Sequence, residues 1–380
     1  MIPTTAPHRR PVIVISAVNL VEGGTLSILS DCLHWVDRAL TDRYEVVALV
    51  HRASMFDCKS VRLVEMPRAK RSWLLRIWHE YRLFKPISLS LQPFLWLSLH
   101  DTTPNVVAER RAVYCHNPSP FYRISLREAW HEPTLLLFNL FYKYLYRINI
   151  LRNDFVIVQQ QWIKREFERL FALPRIIVAH PQIPETMYQV AHTPGVLPKA
   201  PSRITRLIYP AFPRAFKNLE VLAEALLECS RRGLSGLEVQ VTVDGTENRY
   251  ARWLHARYAQ VEGLRFIGRL SRAELFSRYE EVDAMVFPSK LETWGLPLTE
   301  FKAFGKPILA ADLPYAHETI GVYDRCAYFA ANDHRALADL MGDLRDGRLR
   351  YARPSTPPAD RYHVTGWEGL FGVLLDGVDS

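Results

Sequence analysis

Two glutamates separated by seven residues, Glu292 and Glu300, are the side chains in this sequence best suited to chemistry. A Gly-Leu-Pro turn at residues 295–297 stands between them, after a short apolar run at residues 284–288 that predicts a β-strand. Proline is well tolerated in the first turn of a helix, because its missing N–H would have no partner there. We therefore expect Glu292 in a loop and Glu300 about one turn inside a helix.

The start of this predicted helix is a candidate site for a phosphate. The N–H groups of Gly295, Leu296 and Leu298 would point in front of the helix, and exposed donors at a helix start favour an anion. Two glutamates at this spacing also occur on a solvated helix face. The strand, the turn and the helix that surround them favour a functional site.

The surrounding segment, FPSKLETWGLPLTEF at residues 287–301, resembles a known signature. It is similar to the Glu-x7-Glu motif of retaining glycosyltransferases with the GT-B fold, in particular glycosyltransferase family 4. Three residues depart from the usual pattern: Thr293 stands for Gly, Trp294 for Phe and Phe301 for Ala. Both carboxylates and the Gly-Leu-Pro turn are kept.

The resemblance implies a role for each part of this motif. Glu292 would contact the hydroxyls of the transferred sugar and balance the positive charge that develops on it, whereas Glu300 would bind the ribose of a nucleotide-sugar. The residues that would line the phosphates are Gly295, Leu296, Pro297 and Leu298.

A basic segment upstream, PAFPRAFKN at residues 210–218, stands where the family has its diphosphate-binding pair. Lys217 matches the family lysine, and a cation there stabilises the charge of a leaving nucleoside diphosphate. Pro210 and Ala211 occupy the usual arginine position, and Arg214 is the candidate replacement. The sequence has no Asp-x-Asp motif, so we expect neither a metal ion nor another cofactor.

The candidate residues in the first half of the chain are identified by their place directly after predicted strands. His116 follows a predicted strand at residues 111–115, and the carboxyl ends of parallel strands are where open α/β sheets bind ligands. The family often has a histidine at this junction, facing the sugar. Gly23 and Gly24 follow the first predicted strand, and the resemblance places such a pair beside the cleft between domains.

The elements that would hold these residues alternate between strand and helix. Apolar runs such as residues 11–17, 44–50 and 239–243 predict buried strands, and periodic segments between them predict helices. This order is typical of parallel sheets with right-handed crossovers. With the resemblance, it predicts an α/β protein with the GT-B fold, in which two Rossmann-like, doubly wound domains face each other across a cleft.

The expected domain borders follow composition. Residues 1–190 would form the N-terminal domain on the acceptor side, and residues 203–355 the domain that binds the nucleotide-sugar. Prolines at 181, 184, 194, 198 and 201 identify residues 181–202 as the linker. The resemblance implies that a last helix within 365–380 packs back on the N-terminal domain.

Charge and composition exclude several classes of protein. The net charge is +8 with a pI near 9.2, which indicates an anionic partner, but no nucleic-acid-binding motif is present. No apolar run reaches the roughly 20 residues of a transmembrane helix. The five scattered cysteines lack a CxxC spacing and indicate a reduced, cytoplasmic protein.

Two segments of the first half suggest contact with a membrane. Residues 68–85 interleave arginine and lysine with tryptophan, leucine and tyrosine, which predicts either an interfacial amphipathic helix or a core-facing helix with solvated charges. Residues 134–152 are apolar nearly all round, which predicts either a second helix at the membrane surface or a helix buried between the sheet and its neighbours, and we favour burial.

The combined interpretation is a retaining, metal-independent glycosyltransferase that moves a hexose or deoxyhexose from a UDP- or GDP-linked donor. Its acceptor would be a polyprenyl-linked saccharide at the inner face of the cell membrane, in the biosynthesis of surface polysaccharide or lipopolysaccharide. The alternatives are a GT-B enzyme with a soluble small-molecule acceptor and a catalytically inactive GT-B partner subunit.

Overall fold

The structure, a computed structural model, describes residues 10–173, 175–182, 204–355 and 362–376. The chain divides into two compact units. Unit 1 contains Met1–Pro120, Phe141–Gln182 and Ala359–Ser380, and unit 2 contains Phe121–Leu140 and Ile183–Pro358. The predicted linker at 181–202 lies outside the described residues, apart from Pro181 and Gln182.

The strands are short, and most of their residues are buried. They are β1 (Val12–Ser16), β2 (Glu45–Val50), β3 (Arg62–Glu65), β4 (Leu95–Ser98), β5 (Arg110–Tyr114), β6 (Phe155–Val158), β7 (Ile176–His180), β8 (Thr205–Tyr209), β9 (Leu237–Val241), β10 (Leu264–Phe266), β11 (Ala284–Phe287), β12 (Ile308–Ala311), β13 (Cys326–Phe329) and β14 (His363–Thr365).

Helices connect these strands. They are α1 (Gly23–Ala39), α2 (Trp73–Trp78), α3 (Phe84–Leu91), α4 (Leu126–His131), α5 (Pro133–Arg147), α6 (Gln161–Leu170), α7 (Glu220–Arg231), α8 (Arg249–Tyr258), α9 (Arg272–Glu281), α10 (Leu296–Lys302), α11 (Pro314–Ile320), α12 (His334–Arg345) and α13 (Gly366–Asp376).

Unit 1 is built on a parallel sheet with the strand order β14-β7-β6-β5-β4-β1-β2-β3. Both faces of this sheet are covered. Ile13 and Ile15 of β1 belong to one apolar cluster, and the alternating Val12 and Val14 belong to another. This burial on both faces explains why the sequence of β1 is uniformly apolar.

Unit 2 is built on a parallel sheet with the order β10-β9-β8-β11-β12-β13. Helix α9 between β10 and β11 begins with a capping box, in which Ser271 and Glu274 each bind the other's backbone N–H, as their spacing predicts. The two parallel sheets with connecting helices confirm the predicted α/β fold class.

The C-terminal segment belongs to unit 1. Strand β14 pairs with β7, and on α13 the side chains of Leu370, Phe371 and Leu374 are buried in the cluster that also contains α1. The ring of Phe371 stacks on Trp35 of α1 with a centroid distance of 5.2 Å. Helix α13 therefore contributes to the apolar core of unit 1.

Residues 121–140 lie in sequence between β5 and β6 of unit 1, but they group with unit 2. The predicted N-terminal domain, residues 1–190, includes them. They group with unit 2 because α4 and the turn after α4 contact residues of unit 2. Glu132, for example, accepts a hydrogen bond from the N–H of Ala215.

The basic aromatic segment at residues 68–85 is not one amphipathic helix. A 3₁₀ turn, α2 and a π-helical stretch (His79–Leu83) divide it. Its burial contradicts the core-facing alternative, because Arg76 and Glu80 are buried whereas Leu74 is 80% exposed. Arg76 Nε lies 2.7 Å from Glu80 Oε1, so each buried charge has an opposite partner.

The prediction that residues 134–152 are buried is wrong for one face of α5. Tyr142 and Tyr146 point into unit 1, where both hydroxyls donate to Asp101, at 2.9 and 3.3 Å. Phe141 and Tyr144 are exposed on the opposite side of the helix. A tyrosine can be buried when its hydroxyl has a hydrogen-bond partner, as Tyr142 and Tyr146 are. Because apolar and aromatic residues occur on all sides of α5, the sequence does not show which side is buried.

In the part of the chain that the structure describes, no helix is long and apolar enough to cross a membrane.

We expect Phe371→Ala to lower the free energy of unfolding of unit 1 by about 3–5 kcal/mol, because it leaves a cavity in the core. Urea-induced unfolding measures this loss. Glu368→Ala on the exposed face of the same helix is the matched control, with a change within about 0.5 kcal/mol. Equal unfolding midpoints for the two variants would contradict a contribution of α13 to this core.

Candidate active site

The candidate residues of unit 2 follow two neighbouring strands at the centre of its sheet. Strand β8 pairs with β9 on one side and with β11 on the other. The strands before β11 extend the sheet to one side of β8, and those from β11 onward extend it to the other, so the strand order reverses between β8 and β11. Open α/β sheets bind ligands beside such a reversal, at the carboxyl ends of the strands. Lys217 follows β8, and Glu292 follows β11.

Lys217 and Glu292 form an ion pair at this point. The Nζ atom of Lys217 lies 2.5 Å from Oε1 of Glu292, and both side chains are largely buried. The main-chain oxygen of Lys217 accepts a hydrogen bond at 3.0 Å from Tyr209, at the end of β8. The structure thus brings together two residues that lie 75 positions apart in the sequence.

The loop that carries Lys217 is fixed by hydrogen bonds to neighbouring loops. The N–H of Ala211 donates to Thr242 at 2.9 Å, and the N–H of Lys290 donates to the carbonyl of Phe216 at 2.7 Å. Asn218 takes a left-handed conformation with φ of 59°, and its side chain donates to the carbonyl of Ala331 at 2.7 Å. The loop that carries Lys217 is therefore held by the loops that follow β9, β11 and β13.

Arg214, the candidate replacement for the family arginine, lies on the same loop and contacts a carboxylate. Its Nε atom lies 3.0 Å from Oε2 of Glu132. The other oxygen of Glu132 accepts from the N–H of Ala215. Burial raises the pKa of Glu132, although Arg214 and the Ala215 N–H act in the opposite direction.

The turn before α10 has the geometry that the motif predicts, with one difference. Gly295 precedes the helix with φ of 86°, a conformation that L-residues rarely adopt, and Pro297 lies in the first turn. The N–H of Leu298, however, donates to the carbonyl of Gly295 at 2.9 Å. The candidate donors to an anion are therefore Gly295 and Leu296, and the prediction for Leu298 is wrong.

Two of the residues that depart from the family signature are part of the core. Trp294 is buried, and its indole N–H donates to Thr299 at 2.8 Å. Phe301 is buried with its ring 5.1 Å from that of Tyr279. These larger side chains fill space behind the turn and leave Glu292 and Glu300 in place.

Glu300 lies inside α10, as predicted, and is mostly buried. Its Oε1 atom is 3.2 Å from Nη2 of Arg272, which is itself half exposed. Burial raises the pKa of Glu300 to about 6, and the opposing effect of Arg272 is smaller. The carboxyl group therefore changes its charge close to neutral pH.

In unit 1, His116 follows β5 and is buried against Tyr114, with the two rings stacked at a centroid distance of 4.4 Å. Its backbone N–H donates to Asp101 Oδ1 at 2.5 Å, and the N–H of Asn117 donates to the same oxygen at 3.1 Å. Burial lowers the pKa of His116, with Asp101 acting against this. The imidazole is therefore neutral at pH 7.

Gly23 and Gly24 form the start of α1, after β1 of unit 1. Gly23 has φ of 65°, and a Cβ atom there would meet nothing within 4 Å. Strand order in unit 1 reverses between β1 and β4, so these glycines follow a strand at the reversal. Their predicted place beside a ligand stays a prediction.

The sequence motifs did not indicate three polar residues that lie near the candidate site. Glu128 lies 3.4 Å from Lys290, which stands two residues before Glu292, and Glu132 contacts Arg214. The spacing of Ser125 and Glu128 does predict the capping box that begins α4. It cannot show which part of the chain α4 packs against.

Within the described ranges, no group of three or more histidine, cysteine, aspartate or glutamate side chains is arranged to hold a metal ion. The positive charge at the candidate site comes from Lys217, Arg214 and Lys290.

Comparison with known proteins gives one match to a family and many to structures. Residues 199–355 match the sequence model of the glycosyl transferases group 1. Among curated proteins, none matches the chain significantly. The matched segment contains Arg214, Lys217, Glu292 and Glu300.

Three solved structures illustrate the structural similarity. Sucrose-phosphate synthase from Thermosynechococcus elongatus is 14% identical with a TM-score of 0.60, covering 89% of this chain and 94% of that chain. The lipopolysaccharide outer core galactosyltransferase WaaB is 13% identical with a TM-score of 0.61, covering 90% and 92%. Anabaena Alr3699/HepE in complex with UDP-glucose is 13% identical with a TM-score of 0.55, covering 89% and 90%.

At these identities the structural similarity establishes the fold, which is that of the GT-B glycosyltransferases. The family match adds the segment that contains the two glutamates and the lysine. Together they support a GT-B glycosyltransferase.

Proposed function

We propose that this protein is a retaining glycosyltransferase of family 4 that transfers a hexose or deoxyhexose from a UDP- or GDP-linked donor, without a metal ion. The acceptor is a polyprenyl-linked saccharide at the cytoplasmic face of the membrane, in the biosynthesis of surface polysaccharide or lipopolysaccharide. The observation that carries this proposal is the ion pair between Lys217 and Glu292, beside the strand reversal of unit 2.

The donor half of the proposal rests on charge. A nucleoside diphosphate is an anion, and Lys217 and Arg214 lie on one loop at the carboxyl end of β8. Lys217 stabilises the negative charge that grows on the diphosphate as it leaves, which is the task a metal ion performs in other enzymes. Among the similar structures, that of Alr3699/HepE holds UDP-glucose.

The chemistry follows from the position of Glu292. As the bond between the anomeric carbon and the phosphate oxygen breaks, positive charge develops on the sugar ring, and a carboxylate nearby stabilises it. In the front-face route, the leaving phosphate accepts the proton of the acceptor hydroxyl, and the new bond forms on the same face. Retention then needs no enzymic nucleophile, and none is assigned.

The acceptor half of the proposal rests on an apolar surface of unit 1. We define this surface as the exposed side chains of Trp73, Leu74, Trp78, Phe141, Tyr144, Ile148 and Leu151. The helices that carry these side chains are neighbours, because the ring of Trp73 in α2 lies 6.1 Å from the ring of Tyr142 in α5.

Exposed cations accompany the apolar surface. They are Lys70, Arg71, Arg82, Lys85, Lys143, Arg147 and Arg152. Aromatic side chains with basic neighbours suit the interface of an anionic membrane, where each cation contributes about 1 kcal/mol. This surface supports a lipid-linked acceptor more than a soluble one.

We expect Glu292→Gln to lower kcat by about 100-fold or more, because the amide cannot balance the charge that develops on the sugar. The measurement is release of the nucleoside diphosphate, with circular dichroism to verify the fold. Glu281→Gln, an exposed carboxylate paired with Arg278, is the matched control and should keep full activity. Near-normal turnover by Glu292→Gln would count against the assignment of this residue.

The affinity for the donor should depend on pH through Glu300. Ribose hydroxyls donate to a carboxylate, so the ionised form binds and a proton competes with the nucleotide. Affinity should therefore be constant above the pKa of about 6 and should fall, by up to about tenfold per pH unit, below it. A thermal-shift screen of UDP-, GDP- and ADP-sugars selects the donor, and titration calorimetry measures its affinity.

Glu300→Gln should remove this pH dependence and weaken binding at pH 7.5. Equal pH profiles for the variant and the wild type would show that Glu300 does not contact the nucleotide. No thermal shift with any nucleotide-sugar would contradict the proposed function itself.

The double substitution Leu74→Ser with Trp78→Ser should weaken binding to vesicles that contain phosphatidylglycerol, because it removes apolar area from the surface. Co-sedimentation with phosphatidylglycerol vesicles and with pure phosphatidylcholine vesicles measures this. Leu227→Ser, on an exposed face of α7, is the matched control. Wild-type binding that does not change with anionic lipid would contradict the proposed membrane contact.

A further inference from the structure

Arg214 contacts an anion that the protein itself supplies. Its partner Glu132 is carried by residues 121–140, the excursion from unit 1 that groups with unit 2. A guanidinium beside a carboxylate at 3.0 Å presents little net charge to a third ion, because the two charges offset each other. The charge available to a diphosphate on this loop therefore depends on Glu132.

The geometry of this contact is that of a weak ion pair. Within the described residues, Oε2 of Glu132 is buried and accepts no hydrogen bond, although Nε of Arg214 is close to it. The N–H of Arg214 is thus not aligned with that oxygen. A well-aligned arginine–carboxylate pair would gain much more, through one or two charge-assisted hydrogen bonds.

The environment of Glu132 points the same way. Burial raises the pKa of its carboxyl group, and the nearby Glu128 adds to this rise, so Arg214 and the Ala215 N–H do not fully compensate the cost of burying the charge. By contrast, Glu228 on α7 is held by two arginines, Arg231 and Arg232, each at 2.8 Å. The contact of Arg214 with Glu132 is therefore weaker than the pairs that Glu228 makes with Arg231 and Arg232.

We propose that Glu132 is an exchangeable counter-ion of Arg214, which a nucleoside diphosphate replaces when it binds. A diphosphate carries more charge than a carboxylate and offers several acceptor oxygens to the planar guanidinium. Glu132 keeps its hydrogen bond from Ala215 during the exchange, so the loop stays in place. This inference rests on the proposed donor site and adds a residue that sets its affinity.

The direction of the effect follows from the charges. Removal of the carboxylate leaves Arg214 with its full charge, so the affinity for a diphosphate should rise. Arg214 is about one-third exposed, which screens the interaction. The rise should therefore be modest, roughly two- to fivefold.

The test uses the full chain and titration calorimetry with UDP, GDP and inorganic pyrophosphate. Glu132→Gln keeps an oxygen to accept the N–H of Ala215 but has no charge. It should bind the preferred diphosphate roughly two- to fivefold more tightly than the wild type. The affinity for the matching nucleoside, which has no phosphate, should not change.

Two controls separate this effect from a general change in structure. Glu228→Gln removes a similarly buried carboxylate from an arginine pair elsewhere in unit 2 and should leave the diphosphate affinity unchanged. In an Arg214→Met background, Glu132→Gln should have no effect on diphosphate affinity, because the two residues act through one contact.

Unchanged or weaker diphosphate binding by Glu132→Gln would overturn the inference, and so would a gain that persists without Arg214. These outcomes differ from a failure of the proposed function. In that case the wild type itself would bind neither UDP, GDP nor pyrophosphate.

Discussion

Parallel strand pairing is the constraint on which the rest of this structure depends. In each sheet it brings the carboxyl ends of all strands to one edge, so that loops far apart in sequence become neighbours. Where the strand order reverses, the loops that follow the two neighbouring strands run in opposite directions and leave a crevice in which a ligand can bind. In unit 2 those loops carry Lys217 and Glu292, and in unit 1 the corresponding strands are β1, followed by Gly23, and β4, followed by Asp101.

Charge compensation is the second theme of the candidate site. Lys217 contacts Glu292, Lys290 contacts Glu128, and Arg214 contacts Glu132. Two of the three carboxylates come from residues 121–140, a segment that interrupts unit 1 between β5 and β6. Partly buried cations need such partners, because burying a charge alone costs several kcal/mol. The same partners limit how strongly the loop attracts a phosphate.

Local signals in the sequence predicted the elements well. The apolar runs became β1 and β2, the Gly-Leu-Pro turn precedes α10, and Ser271 with Glu274 begins α9. Patterns of burial were predicted less well. Residues 68–85 read as apolar on one side and basic on the other, but the structure buries Arg76 and exposes Leu74. Arg76 is buried because Glu80 lies one turn further along the chain and pairs with it.

The sequence alone determined the order of strands and helices, the parallel sheets and the motif that contains Glu292 and Glu300, because propensity, periodicity and turn chemistry act over a few residues. Only the tertiary structure decided which charges meet. The contact between Arg214 and Glu132 joins residues more than 80 positions apart, and the one between Lys217 and Glu292 joins residues 75 positions apart. Such pairings depend on which loops the fold brings to the same edge of a sheet, and a local sequence pattern cannot predict that.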